Sequence, residues 1–489
     1  MITEGLSTQL QNTINSLGFL GPELTVALGI VFLLLTDLVV KPGIKTAVLV
    51  SISVFFALGA LWLIVPLWAN TPVTELFLGQ LVVDKGALIS KAMMLMALSF
   101  TLAFTSGFVL RSEYYYLLFF LVLGGMFMAG SATFLSMYIS LELTSVTGYI
   151  LAVFGFKKLN YEAGIKYLLF GAFASGLMLY GISLLYGWSG SIDFTSPEFV
   201  SQLEQAPTSL LLVSLSLVLM GIFFKISLFP MHFWTPDVYQ TAPVSVAVIF
   251  SIVPKLAGLM VLLRLSQALN GLPYFTGILL FFGTLSIVFG NLAAIGQQNV
   301  RRMLGYSSIA QSGFLVLPLA LNDGFATTSF YFYIFIYFFM NYLAFYLVDH
   351  MEREQKFSFD DYKGLGKGNI LIGILFLVSM VSLVGLPPFA GFTGKLYIFS
   401  ALWYHWQTTS SDFVFYILLI AAVNTIIALF YYVKIPYFMF VKENDGVLVR
   451  LSKVNFAQRC IMCLFAILLI VFFVQPGSII QVIQQATSQ

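Results

Sequence analysis

The chain is a succession of apolar runs of about 20 residues, the length a helix needs to cross a bilayer core. Windows of that length predict fourteen spans, near 22–40, 46–68, 86–109, 114–133, 135–155, 163–187, 208–229, 242–267, 274–295, 303–321, 326–348, 370–400, 413–440 and 456–475. Backbone groups in lipid have no water to bond, so each run must close its own hydrogen bonds as a helix. The fold class is therefore all-α and polytopic. Two segments, 370–400 and 413–440, are longer than one crossing requires. The first contains VGLPPFAGFTGK, where Pro387 and Pro388 offer no backbone donor and clash with the preceding turn. A broken helix is predicted there. Another is predicted where Pro230, Pro236 and Pro243 interrupt LFPMHFWTPDVYQTAPV.

Basic residues between the runs give the orientation. With the N-terminus outside, Lys41, Lys45, Arg111, Lys157, Lys158, Arg301 and Arg302 lie inside, as do Arg353, Lys356, Lys363, Lys367, Lys442, Arg450, Lys453 and Arg459. Only Lys85 and Arg264 fall at outer ends. The positive-inside rule then places both termini on the outer side. A weak repeat divides the chain into helices 1–3 (1–113), a first five-span block (114–267), a second (274–440), and an inner loop with the last helix (441–489). The fourth member of each block is a proline-broken helix, making helices 7 and 12 counterparts. Five is odd, so the second block enters from the opposite side, the inverted-repeat pattern of transporters.

Composition narrows the class further. Of 489 residues, 60% are hydrophobic and 9% charged, too little polar surface for a soluble domain. The net charge of +2 comes with no basic patch, so no nucleic-acid partner is expected. The opening MITEGLSTQLQNTINSLG has no basic residue ahead of an apolar core, so no cleaved leader is expected. Cys460 and Cys463 form one C-x-x-C pair without a second, and are read as packing residues rather than a redox or cluster site. His232, His350 and His405 lie in three separate regions, which supports no metal or haem site, and no phosphate-binding glycine loop is present.

Charge inside the spans carries the candidate chemistry, because an ionisable group in hydrocarbon is costly and marks an ion pathway. Glu142 is mid-span, and Tyr138, Glu142, Ser145 and Tyr149 share one helical face. Lys225 ends its span at the first break, with His232 just beyond. Lys255 follows Pro254 in mid-span, where proline leaves the Phe250 carbonyl without its helical donor. Lys395 lies eight residues after Pro387 in the second broken helix. Lys166 is one turn into its span with Glu162 four residues earlier, a favourable helix pair. Lys434 reads as an interfacial anchor, and Lys91 sits deep in its span without an evident role. Burial disfavours an ammonium and a nearby carboxylate favours it, so a partner that moves makes a buried lysine take up or release a proton.

FFKISLFPMHFWTPDVYQTAPVSV, EAGIKYLLFGAFASG, QQNVRRMLGYSSIAQSGF and GLPPFAGFTGKLYIF resemble the antiporter-like subunits of proton-pumping NADH:quinone oxidoreductase, respiratory complex I. The resemblance runs from about Gly21 to Gln475, and HFWTPDVY with the chain length sides with the N-type branch. It implies two half-channels joined by a hydrophilic axis. Glu142 is then the pairing carboxylate of helix 5, Lys225 its lysine on helix 7, and Lys255 the bridging lysine of helix 8. Lys395 is the helix 12 lysine, Lys166 that of helix 6, and His232 the histidine after the helix 7 break. The chain departs from many relatives at Gln311, where they carry histidine, and at Thr241, where they carry glycine. The expected function is proton translocation in the membrane arm, coupled to quinone reduction elsewhere in the complex. The resemblance implies a subunit of an NADH:quinone oxidoreductase translocase that performs no redox catalysis alone. It implies no bound cofactor or metal, a bacterial inner membrane, and other membrane-arm subunits and lipid as partners. A cation/proton antiporter subunit of the Mrp type is the alternative.

Overall fold

The computed structural model describes residues 2–487 apart from 71, 106–110, 155–157, 271, 444–450 and 453. Lys157, Arg450 and Lys453, which entered the charge reading, lie outside the described residues. Among the described residues, every predicted span coincides with a helix or a pair of helices. Among the described residues, 12 helical stretches are long and apolar enough to cross a membrane, and Glu113–Ala129 and Ile370–Val384 are shorter apolar helices. The two predicted interruptions are present. Thr208–Ile226 ends at Ser227, whose φ is 60°, and the chain resumes as the short helix Trp234–Thr241. Ile370–Val384 ends at Gly385, whose φ is 88°, and resumes as Ala390–Thr409. The length of 413–440 comes from a third division, into Asp412–Tyr432 and Lys434–Phe440.

The chain forms two compact units, one of Met1–Ile226 with Ile252–Leu272, the other of Ser227–Ser251 with Pro273–Ser488. In the first, Glu113–Ala129 packs on Gly21–Val39 and Phe134–Ala152, and Lys158–Ser189 packs along Thr208–Ile226. Close approach is set by small residues, as lipid offers no hydrophobic drive to helix association. At Gly171 an added Cβ would run into the Tyr149 hydroxyl. The all-α expectation missed one small element. Thr74–Leu76 and Leu81–Val83 pair antiparallel, and the Val82 amide donates to the Gly130 carbonyl at 2.7 Å. This hairpin, with the Phe134 amide donating to Ile192 (2.9 Å), covers one end of the unit.

The second unit is built around Val300–Leu321 and Gly324–Arg353. Each has 94% of its apolar window buried, so its polar side chains meet protein rather than lipid. Val300–Leu321 packs along Pro273–Ile295, and Gly324–Arg353 along Ala390–Thr409 and Ile370–Val384. Buried Arg301 pairs with Glu352 at 2.6 Å and donates to the Ala242 carbonyl at 2.5 Å. Arg302 pairs with Asp237 at 2.6 Å, tying the short helix after the break to the start of Val300–Leu321. Helices at Ile2–Leu17, Pro197–Glu204 and Gly477–Thr487 lie outside the predicted spans.

Candidate functional site

The first unit brings Glu142, Ser145, Ser175, Lys225 and Lys255 onto packed helices. Thr133 caps the Phe134–Ala152 helix by accepting from the Ser136 amide, fixing its start and hence the phase of its polar face. On that face Glu142 accepts a hydrogen bond from the Ser175 hydroxyl at 2.5 Å. Ser145, one turn on, accepts from the Lys225 ammonium at 3.1 Å and donates to the Leu141 carbonyl at 2.8 Å. The two charged groups are thus each hydrogen-bonded to a serine. Lys225 is 1% exposed and Lys255 is fully buried. The helix of Lys255 lies against that of Lys225, since a Cβ on Gly258 would meet Ile226 at 2.5 Å and the Lys225 stem at 3.7 Å. Tyr167, buried beside this group, meets Tyr149 edge-on and stacks on Phe224.

The second unit holds Lys395. The break leaves the last carbonyls of Ile370–Val384 without helical donors, and buried side chains take two of them. Lys395 donates to the Val384 carbonyl at 2.7 Å, and its ammonium lies 4.5 Å above the Phe314 ring. Gln311 donates to the Leu383 carbonyl at 3.2 Å and to the Tyr432 hydroxyl at 3.2 Å, and accepts from Tyr333. Tyr432 bonds Ser307, and Ser308 bonds Tyr337 at 3.2 Å. Lys395 and the Gln311 chain thus bond adjacent carbonyls, Val384 and Leu383, at the end of the broken helix. The tyrosines of this chain were missed in the sequence. Their signal was Tyr333 and Tyr337, four residues apart on a helix too apolar to have an exposed face.

Gly385 is required by this arrangement. Its φ of 88° is open to glycine, and a Cβ there would lie 2.7 Å from Lys395 Cδ. A β-carbon held in that region costs about 1–3 kcal/mol before the contact is counted. Gly385→Ala is expected to lower the thermal unfolding temperature of the purified protein and to displace Lys395; an unchanged melting curve would contradict this.

Other expected site residues fall elsewhere. His232 is 1% exposed and belongs to the second unit, its ring centroid 5.5 Å from Phe229 and 4.5 Å from both Phe233 and Phe289. Its near neighbours are thus aromatic. Lys166 pairs with Glu162 at 2.8 Å on the outside of its helix, 45% exposed, apart from the buried lysines. Lys434 donates to the Gln297 carbonyl at 3.3 Å and sits 4.1 Å from the Phe359 ring. Cys460 is exposed and Cys463 half-buried, both as free thiols.

The chain and its fold match known proteins. The family model described as NADH:quinone oxidoreductase/Mrp antiporter, TM, matches residues 131–425. NADH-quinone oxidoreductase subunit N of Chlorobium chlorochromatii is 36% identical over 450 residues, covering 88% of this chain and 86% of that protein. The subunit N of Pelagibacter ubique is 31% identical, covering 96% and 99%. A chain in the structure of respiratory complex I from Thermus thermophilus with bound aureothin superposes with a TM-score of 0.79 at 28% identity, covering 94% of this chain and 98% of that one. This multi-pass membrane protein belongs to the NADH-quinone oxidoreductase subunit N family.

Proposed function

We propose that this chain is a proton-translocating subunit of the membrane arm of an NADH:quinone oxidoreductase in a bacterial inner membrane, assembled with a neighbouring antiporter-like subunit and small membrane subunits. The observation that carries this is the set of lysines, Lys225, Lys255 and Lys395, that are 0–2% exposed within apolar helices beside proline breaks. Lys225 and Lys395 are held by neutral oxygens, a serine hydroxyl and an orphan carbonyl. A hydroxyl or carbonyl stabilises an ammonium less than a fixed carboxylate does, so the charge is transferable. Redox energy released at the quinone site elsewhere shifts the Glu142–Lys225 relation, and Lys255 and Lys395 relay the proton outward. In this reading Glu142, Ser145 and Lys225 form one half-channel, and Lys395 with the Gln311–Tyr333–Tyr432 chain forms the other. His232 and Lys166 are auxiliary proton carriers at the break and the sixth helix. The two halves are inverted repeats spanning 114–267 and 274–440, within fourteen crossings.

Both termini lie outside. The meeting of Asp84, Ala129 and Arg264 in the first unit supports this alternation, because each stands at the outer end of its predicted span. Glu142→Gln tests the function. Glutamine keeps an oxygen for Ser175, so assembly is expected at normal abundance while protons pumped per NADH fall. Activity that falls only in step with complex abundance would instead mark a passive assembly subunit.

A further inference from the structure

Outside the repeats, the three-helix N-terminal segment carries a second buried ion pair, between Lys91 and Glu23. Their charged atoms are 2.6 Å apart and the side chains 3% and 2% exposed. Removing two ions from water costs several kcal/mol each even after relaxation, and apolar residues of similar volume commonly pack as well. A pair kept in such a place calls for a use of its charge. Its surroundings indicate the use. Gly125 of the Glu113–Ala129 helix faces Met94, one turn after Lys91, and Val253, two residues before Lys255, each 3.1 Å from where a Cβ would lie. Lys91 and Lys255 thus flank the same helix. At that helix's end, Lys91 Nζ lies 3.8 Å from the Cβ position of Gly130, and Arg264 donates to the Ala129 carbonyl at 3.3 Å while pairing with Asp84 at 2.8 Å. The hairpin covers this end, and its Gly79 turn lies within about 4 Å of the Glu75 and Asp193 carboxylates. Ionisable groups therefore continue from the Lys255 helix to an acidic rim.

We propose that Glu23 and Lys91 form an outer proton-release station for this subunit. The proposal rests on the translocating function and orientation given above. A proton leaving the Lys255 region binds the Glu23 carboxylate, making a neutral acid and breaking the ion pair. Lys91 is then left as a buried cation without its carboxylate partner. That unfavourable state expels the proton from Glu23 to the rim, where Glu75 and Asp193 face water, and the pair re-forms. The net event is one proton moved: an N–H bond of the Lys255 ammonium breaks as the O–H bond of Glu23 forms, and that O–H bond breaks as the proton passes to the rim. Asp84 stays paired to Arg264 throughout and takes no part in the transfer.

The test uses the assembled complex in proteoliposomes, with protons delivered per NADH oxidised as the readout. The double substitution Glu23→Leu, Lys91→Leu removes both charges without leaving either unpaired. Normal abundance with lowered proton delivery and retained NADH oxidation is expected. Normal abundance with unchanged delivery would overturn the station and leave the pair a structural clamp. Should the double variant not assemble, Glu23→Gln is read by the same two outcomes per assembled complex. Glu142→Gln measured in parallel separates the two ideas: if it lowers delivery and the Glu23, Lys91 variants do not, only the outer station fails.

Discussion

Lys225→Met is expected to leave the complex assembled and to slow proton transfer through this subunit by about tenfold or more. The structural argument comes first. Methionine nearly conserves the volume of the lysine stem, and such exchanges cost less than about 1.5 kcal/mol. Ser145, the partner of Lys225, also donates to the Leu141 carbonyl, so losing the ammonium leaves no buried orphan donor. Gly258 continues to meet the stem at Cβ. The functional argument is electrostatic. Without the ammonium, a proton passing from the Glu142 face to the Lys255 helix has no charged host in an apolar segment. Each added 1.4 kcal/mol of barrier is about a factor of ten in rate, and an unhosted charge in hydrocarbon costs far more than that. Protons pumped per NADH by the assembled complex, compared with abundance on a native gel, checks the result. Unchanged pumping at normal abundance would contradict the role of Lys225.

Much of this was legible in the sequence, for physical reasons that differ between residues. The breaks were legible because proline cannot donate a backbone hydrogen bond and clashes with the preceding turn. Lys225, Lys255 and Lys395 were legible because a charge inside an apolar run is conspicuous by itself. Their partners were not. Ser145 and Ser175 reach Lys225 and Glu142 through helix packing, and the Val384 carbonyl becomes an acceptor only where its helix stops. Gln311 appeared as a loss relative to relatives with histidine, yet it joins Leu383, Tyr333 and Tyr432 into one chain. Lys91 had no role in the sequence because Glu23, its partner, lies on another helix 68 positions away. The hairpin escaped because three-residue strands leave no periodic pattern to read.

Lys255 stands at the centre of the account. It is fully buried, it follows the one proline inside its helix, and that helix touches the stem of Lys225 at Gly258. Moving one elementary charge against about 100 mV requires about 2.3 kcal/mol, a sum that modest changes around a few buried lysines supply. Without Lys255 the proton given up by Lys225 has no onward carrier, so the loss is expected to match that of Lys225→Met and to be insensitive to added driving force. The most direct measurement is proton pumping coupled to NADH oxidation in proteoliposomes holding the complete complex with Lys255→Ala. A strong fall in protons pumped per NADH, at normal abundance of the complex, is the predicted result; pumping equal to that of the unsubstituted complex would contradict the relay.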